Sequence, residues 1–316
     1  MRFNISTRLD NGVGLEADYK ILRALLESWG HQVNGVHHYK LDEGVPDADI
    51  NIFLELVAPS IFCKAKQNWY VPNPEWHGGN EDVALSGIDK VLCKTHEAYK
   101  TFEQKVGSGR CCHVGWESRD LYDPLIPRQR KFLHVAGGSS YKNSEAVVYL
   151  FSKILYNPWN KTLNRDLVFV GTHGELVAFA NDRGNIKIIN RVSDDELKRL
   201  MNECLFHVMC SSAEGWGHVI HEGLGCGAVM ITTDYPPMNE FTGAAIFAKP
   251  QKVEPCGAAN RAFVVVSEVQ PAVEQAWNMS PQQIEDAQKT ARDYFLQQRT
   301  QFHQRFKTLV DGADHV

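Results

Sequence analysis

Short apolar runs alternate with longer amphipathic stretches along most of the chain. "RFNIS", "HQVNGVHHY", "DINIFLEL", "NWYVPN" and "DKVLCKT" read as strands, and "EADYKILRALLESWG" reads as a helix after the first of them. On that helix Ala17, Ile21, Ala24, Leu25 and Ser28 to Trp29 are predicted to share one face, with Gly30 as the terminating glycine. Around "SRDLYDPLIPRQRK" the alternation breaks at Pro124 and Pro127, and it resumes with "KFLHVAGG", a helix over "SEAVVYLFSKIL", "DLVFVG", "IKIIN", a helix over "DDELKRLMNEC", "FHVMCSS", "AVMITTD", "AAIFAK" and "AFVVVS". Strands alternating with helices imply βαβ units and parallel sheets, so the expected class is α/β. The break divides the chain into residues 1–128 and 129–294. A final helix opens at Ser280 and Pro281 as N-cap and first residue, and Ile284, Ala287, Ala291, Tyr294, Phe295, Phe302 and Phe306 form its apolar stripe. Its last part, residues 295–316, is expected to pack back on the first domain.

A chain of 316 residues suits two hydrophobic cores better than one. Composition is that of a globular protein. Net charge is −5 and the lysines and arginines form no run of five, which argues against nucleic acid as the main partner. "INIFLELVAPSIF" carries Glu55 and Pro59 and falls short of the roughly 20 apolar residues that span a bilayer. It reads as a buried strand entering a loop. No signal-peptide pattern opens the chain, and the eight cysteines form no CxxC pair. The expectation is a cytoplasmic protein with free thiols and no transmembrane segment.

The chemistry concentrates in "SSAEGWGHVIHEGLGCGAVMITTD", residues Ser211 to Asp234. The strand "FHVMCSS" delivers its turn to the carboxyl edge of a sheet, where open α/β folds bind ligands. Gly215 and Gly217 let the backbone approach closely, and the following helix offers unpaired N–H groups and a partial positive charge at its start. That combination fits a phosphate. Glu214 lies in the turn, while Glu222 lies on the helix at i, i+4 from His218, placed to accept hydrogen bonds from a vicinal diol such as a ribose. The alternative reading is a capping acid and a solvated helix residue.

"SSAEGWGHVIHEGLGCGAVMITTDYPPMNEF" resembles the E-x7-E signature of retaining GT-B glycosyltransferases, particularly the family-4 type, with Glu214 and Glu222 as its acids and Trp216 where the family usually has phenylalanine. The resemblance implies two Rossmann-like domains facing across a cleft. It gives ribose binding to Glu222 and places Glu214 beside the donor sugar and leaving phosphate. "FLHVAGGSSYKNSEAVVYLF" is similar to the family's first strand, loop and helix of the nucleotide-binding lobe, with Lys142 at the lysine that neutralises the diphosphate. Many relatives carry an arginine about five residues earlier. Here Gly137 stands there, leaving neutralisation to Lys142, backbone N–H groups and Ser139 or Ser140. By the same resemblance the base lies near Ile189 to Val192, with Asn190 and Val192 contacting it largely through main chain, and the amides of Gly217, His218 and Val219 face the diphosphate.

In the first half, "NGVGLEA" satisfies G-x-G-x-x-A, but the second strand ends in "VNGVHHYK" without the acid that a dinucleotide site requires. Gly12 and Gly14 are read instead as a loop facing the donor phosphates. "YVPNPEWHGG" places Asn73, Glu75, Trp76 and His77 on one turn. The resemblance implies a polar or histidine residue of this region near the donor sugar and acceptor hydroxyl, with Glu75 as the candidate and ordinary turn chemistry equally open. Asp47-Ala-Asp49 spells the D-x-D of metal-dependent transferases but precedes a strand, as a connector would. His31, His37 and His38 lack partner acids at ligand spacing. Arg119, in "GWESRDLYD", is expected to meet either lobe or solvent.

The expected protein is a metal-independent retaining glycosyltransferase without a cofactor. It would move a hexose-type sugar from a UDP- or GDP-sugar to a hydroxyl of a glycan or other acceptor, using Glu214, Lys142 and Glu75. The alternatives are an NAD(P)-linked oxidoreductase and a non-catalytic nucleotide-sugar-binding protein of the same fold.

Overall fold

The computed structural model describes residues 1–9, 12, 14–156, 165–172 and 185–313. The chain forms two compact units. The first comprises Met1–Ser118, Pro255–Asn260 and the chain from Gln298 onward, and the second comprises Arg119–Glu254 and Arg261–Gln297. The sequence pattern put the division at 128/129. The units part ten residues earlier, at Ser118/Arg119.

The first unit is a six-stranded parallel sheet of β1 (Arg2–Thr7), β2 (Gln32–His37), β3 (Ala48–Leu54), β4 (Ala65–Val71), β5 (Lys90–Cys93) and β6 (Cys111–His113), in the order β2-β1-β3-β4-β5-β6. Helices α1 (Gly14–Ser28), α2 (Gly79–Ala84) and α3 (His96–Val106) connect its strands. Gly30 adopts φ 83° after α1, and the amides of Gly30 and His31 close the helix on Glu27 and Leu26. The buried stripe of α1 is Leu15, Asp18, Leu22, Leu25 and Leu26. Of the face expected from the pattern only Leu25 belongs to it, and Ala24 and Ser28 are exposed. The cause is Asp18, whose carboxylate is buried against Lys94 Nζ at 2.5 Å, so a charge occupies the middle of the core-facing stripe. Phe53, Tyr70, Val91, Cys93 and Phe102 fill the core on one side of the sheet. Asn34, Asn4, Asn51 and Asn68 stand in register on four neighbouring strands and join amide to amide at 2.9–3.1 Å. Such a ladder satisfies buried polar groups only in one register, so it disfavours slippage.

The second unit has β7 (Gln129–Gly137), β8 (Leu167–Gly171), β9 (Ile186–Ile189), β10 (Cys204–Met209), β11 (Val229–Thr233) and β12 (Ile246–Ala248), in the order β12-β11-β10-β7-β8-β9. All its pairings are parallel. Every residue of β8, β10 and β11 is buried, as expected of parallel strands covered on both faces. Phe132, Phe151, Phe206, Val208 and Ile231 lie in its main core, where Phe132 stacks on Phe206 at 4.8 Å. Helices α4 (Ser144–Tyr149), continued by a π-helical turn over Leu150–Ile154, α5 (Asp194–Glu203), α6 (His218–Gly225) and α7 (Val266–Trp277) flank this sheet. Ser193 caps α5 by accepting from the Glu196 amide at 3.2 Å, and three acids occupy the first turn, where the helix dipole favours them.

The run "AFVVVS" corrects the expected pattern. Only its beginning is strand, as the end of β14 (Ala259–Phe263), which pairs with β13 (Lys252–Cys256) in a two-stranded ribbon, while Val266 and Ser267 open α7. At the ribbon's turn Gly257 has φ 60°, and a Cβ there would lie 2.6 Å from Pro74 O. The last helix, α8 (Pro281–Ala313), is capped by Ser280, which exchanges side-chain and main-chain hydrogen bonds with Gln283. Ala291 and Phe295 are buried in the second unit, and Phe302, Phe306 and Val310 in the first. No helix among the described residues is long and apolar enough to cross a membrane.

Candidate active site

In the second unit the strand order reverses between β7 and β10, which pair directly, and open α/β sheets bind ligands outside the carboxyl ends of the strands at such a switch point. After β7 the chain turns at Gly137 (φ 57°), forms a 3-10 turn over Ser140–Lys142, and passes through Asn143 in the left-handed region into α4. After β10 it runs through Cys210–Trp216 to Gly217, whose φ of 79° is left-handed and favours glycine. Gly217 is the N-cap of α6.

The two loops are tied together. Ser212 donates its amide to Tyr141 O at 2.6 Å and its hydroxyl to the same oxygen at 3.1 Å. Asn143 Nδ2 donates to Cys210 O at 2.9 Å, and Thr233 Oγ1 to Ser211 O at 2.6 Å. Trp216 stacks on His221 at 3.8 Å, and Phe241 meets His221 edge-on, which fixes the loop against its helix. Burial pushes His221 down to about 3, so this ring is neutral near pH 7 and adds no charge to the site.

The loops bring two of the expected catalytic residues into contact. Lys142 Nζ donates to Glu214 Oε1, which also accepts from Ser211 Oγ at 2.5 Å. Both side chains retain some exposure, 16% for Lys142 and 11% for Glu214. Glu222 lies on α6, buried, with Oε1 accepting from Arg119 Nε at 2.7 Å. Arg119 also donates to Asp194 Oδ1 at 2.8 Å, at the start of α5. The stretch with Asn190, exposed, and Val192, partly buried, links β9 to the Ser193 cap, so Arg119 couples the neighbourhood of these residues to Glu222. Glu222 Oε2 takes no hydrogen bond among the described residues and remains available to a diol. His218 and Val219 occupy the first turn of α6, and Ser139 uses its hydroxyl to cap its own turn by accepting from the Tyr141 amide at 3.2 Å.

Gly14 and Glu75 belong to the first unit. Gly14 opens α1. Of the glycine loop before it, Asn11 and Val13 lie outside the described residues, while the Gly12 amide donates to Glu16 Oε2 at 2.9 Å. Glu75 is buried in a short 3-10 turn, Pro74–Trp76, and its carbonyl accepts from Cys256 Sγ at 3.5 Å. The same region holds His77, which contacts Tyr70 Oη through Nδ1 at 3.0 Å and Asp82 through Nε2 at 2.9 Å. Asp47 pairs with Lys64 in the turn before β4, and Asp49 pairs with Lys66 on β4 and accepts from the Arg2 amide on β1, so each D-x-D acid has a partner of its own. The pattern left two contributors unassigned: Ser211, which holds Glu214, and Asn143, which locks the loops. Both are small polar residues flanking the strand ends, a signal the sequence carried without marking it as functional.

Residues 123–254 match the family described as glycosyl transferases group 1. No curated protein matches the chain in sequence. Among solved structures, sucrose-phosphate synthase from Thermosynechococcus elongatus is similar with a TM-score of 0.72 at 12% identity, over 98% of this chain and 99% of that one. WaaG, a glycosyltransferase involved in lipopolysaccharide biosynthesis, is similar with a TM-score of 0.67 at 14% identity, over 93% and 95%. The pneumococcal O-GlcNAc transferase GtfA, solved with UDP and GlcNAc, is similar with a TM-score of 0.61 at 12% identity, over 93% of this chain but only 60% of its own length. At these identities the likeness carries the fold, which is the GT-B architecture of paired parallel α/β units. With the family match across most of the second unit, the chain is a glycosyltransferase.

Proposed function

We propose that the protein is a retaining glycosyltransferase that moves a hexose-type sugar from a nucleoside diphosphate sugar to a hydroxyl of a glycan or other acceptor, without an essential metal. The observation that carries this reading is the contact of Lys142 with Glu214 between the two loops at the reversal of strand order, beside the open N-terminus of α6. A diphosphate lodged there receives hydrogen bonds from the amides at Gly217, His218 and Val219 and charge from Lys142, which leaves Glu214 to orient the sugar. Glu222 Oε2 accepts from the ribose while Arg119 holds Oε1. As the sugar–phosphate bond breaks, its electron pair passes to the diphosphate oxygen, where Lys142 and the helix N-terminus stabilise it. The acceptor oxygen bonds to the anomeric carbon on the face being vacated, and its proton passes to the departing diphosphate. Glu75 is the first-unit candidate for contact with the acceptor.

Thermal-shift measurements with UDP, GDP, dTDP and ADP sugars test this, since a ligand that binds only the folded state raises the melting temperature. UDP sugars head the series because GtfA was solved with UDP. A shift with one nucleotide sugar and transfer that persists in EDTA are expected. A shift with NADH and none with any nucleotide sugar would overturn the reading.

A further inference from the structure

Arg261, on β14 in the second unit, lies against the two loops of the site. Its Nε donates to Ser212 Oγ at 3.4 Å, and its guanidinium sits 4.3 Å from the centre of the Tyr141 ring and 4.8 Å from that of Phe263. The strand around it is anchored to the same loops, because the Ala262 amide donates to Ser212 O at 2.7 Å and Asn143 Nδ2 donates to Ala262 O at 3.2 Å. Tyr141 immediately precedes Lys142, and Ser212 lies two residues before Glu214.

Two of the three cations around this point are already paired within the protein. Lys142 is paired with Glu214, and Arg119 with Glu222 and Asp194. Arg261 forms no ion pair among the described residues. Aromatic faces steady a guanidinium without neutralising it. A diphosphate carries at least two negative charges, and Lys142 shares its charge with Glu214. Gly137 contributes no side chain.

We propose that Arg261 is a second cation of the diphosphate subsite. Stacked on Tyr141, it presents a planar, pre-oriented fork to phosphate oxygens at the edge of the Lys142 loop, and its positive charge offsets what the Lys142–Glu214 pair leaves unmet. This rests on the functional reading above and names a binding residue that reading did not include.

Calorimetric titration of the full chain with UDP, UMP and uridine tests it, with the guanosine series in their place if the wild-type protein binds that base instead. R261Q is expected to lose roughly 10- to 100-fold in diphosphate affinity, as for one hydrogen-bonded charge. The loss should be smaller for the monophosphate and absent for the nucleoside. R261K should recover most of the diphosphate affinity, and R261Q should show a shallower dependence of diphosphate binding on salt. Equal losses for diphosphate and nucleoside together with a lowered melting temperature, unrelieved in R261K, would mean that Arg261 only braces Tyr141, and would overturn the proposal. Unchanged diphosphate affinity in R261Q would overturn it while leaving the transferase reading intact. A wild-type protein that binds neither diphosphate would remove the transferase reading and this proposal with it.

Discussion

Both units carry ion pairs beyond the carboxyl ends of their parallel strands, yet the pairs differ in access. In the first unit Asp18 and Lys94 are each 3% exposed, Lys94 donates a further bond to Asn73 Oδ1 at 3.1 Å, and its ammonium lies 5.0 Å from the centre of the Trp116 ring. That pair is sealed. In the second unit Lys142, Glu214 and Arg119 stay partly exposed, and Glu222 keeps one oxygen unbonded. A sealed pair has already lost its water, and offering either member to a ligand would strand the other. An open pair can exchange partners at little cost. Charge at the mouth of a parallel sheet therefore marks a binding site only where some hydrogen-bonding capacity is left unused and solvent can reach it.

The comparison is sharpened first by stability. Asp18→Ala should cost about 3–5 kcal/mol, the usual penalty for leaving a buried charge unpaired, while the double replacement Asp18→Leu, Lys94→Met should recover most of it. Urea unfolding would measure both, and a loss under 1 kcal/mol for the single variant would mean that water reaches the pair. Next comes the division of labour between the two acids of the second unit. Glu214→Ala should lower kcat by roughly a hundredfold with nucleotide affinity little changed, and Glu222→Ala should weaken nucleotide binding by about tenfold. Kinetics and titration that gave the opposite split would exchange their roles. The last test is set by pH. Burial holds His207, wholly inside the second unit, down at about 3. Its unfolded counterpart takes up a proton from about pH 6.5 downward, so the stability this histidine contributes is fully present above that value and is lost as pH falls toward 3, at about 1.4 kcal/mol per unit. Melting temperatures between pH 7 and 4 should fall less steeply in His207→Leu than in the wild type.

The strands of the second unit were legible because burial on both faces leaves nearly continuous apolar runs such as "LVFVG" and, broken only by His207, "CLFHVM". That Lys142 and Glu214 belong to one site was legible through the family resemblance of the two segments that carry them, whereas their direct contact was not. The stripe of α1 was misplaced because Asp18 counts as polar in any periodic pattern, although Lys94, 76 residues away, makes it a core residue. Helix α7 was hidden by a valine-rich start and by Pro271 inside it. Arg261 was out of reach for a related reason. It lies 47 residues beyond Glu214 in a short ribbon, and only tertiary pairing brings it beside Ser212. Arg119 likewise gained its meaning from a partner 103 residues away.

Helix α8 makes the first unit impossible to excise as one continuous piece of chain. Phe302 packs on Trp116 at 4.8 Å and Phe306 on Trp29 at 5.9 Å, so a fragment stopping at Ser118 would present bare aromatic rings to water and aggregate. Anyone exchanging this unit between relatives must therefore graft the carboxy-terminal half of this rod together with the first 118 residues.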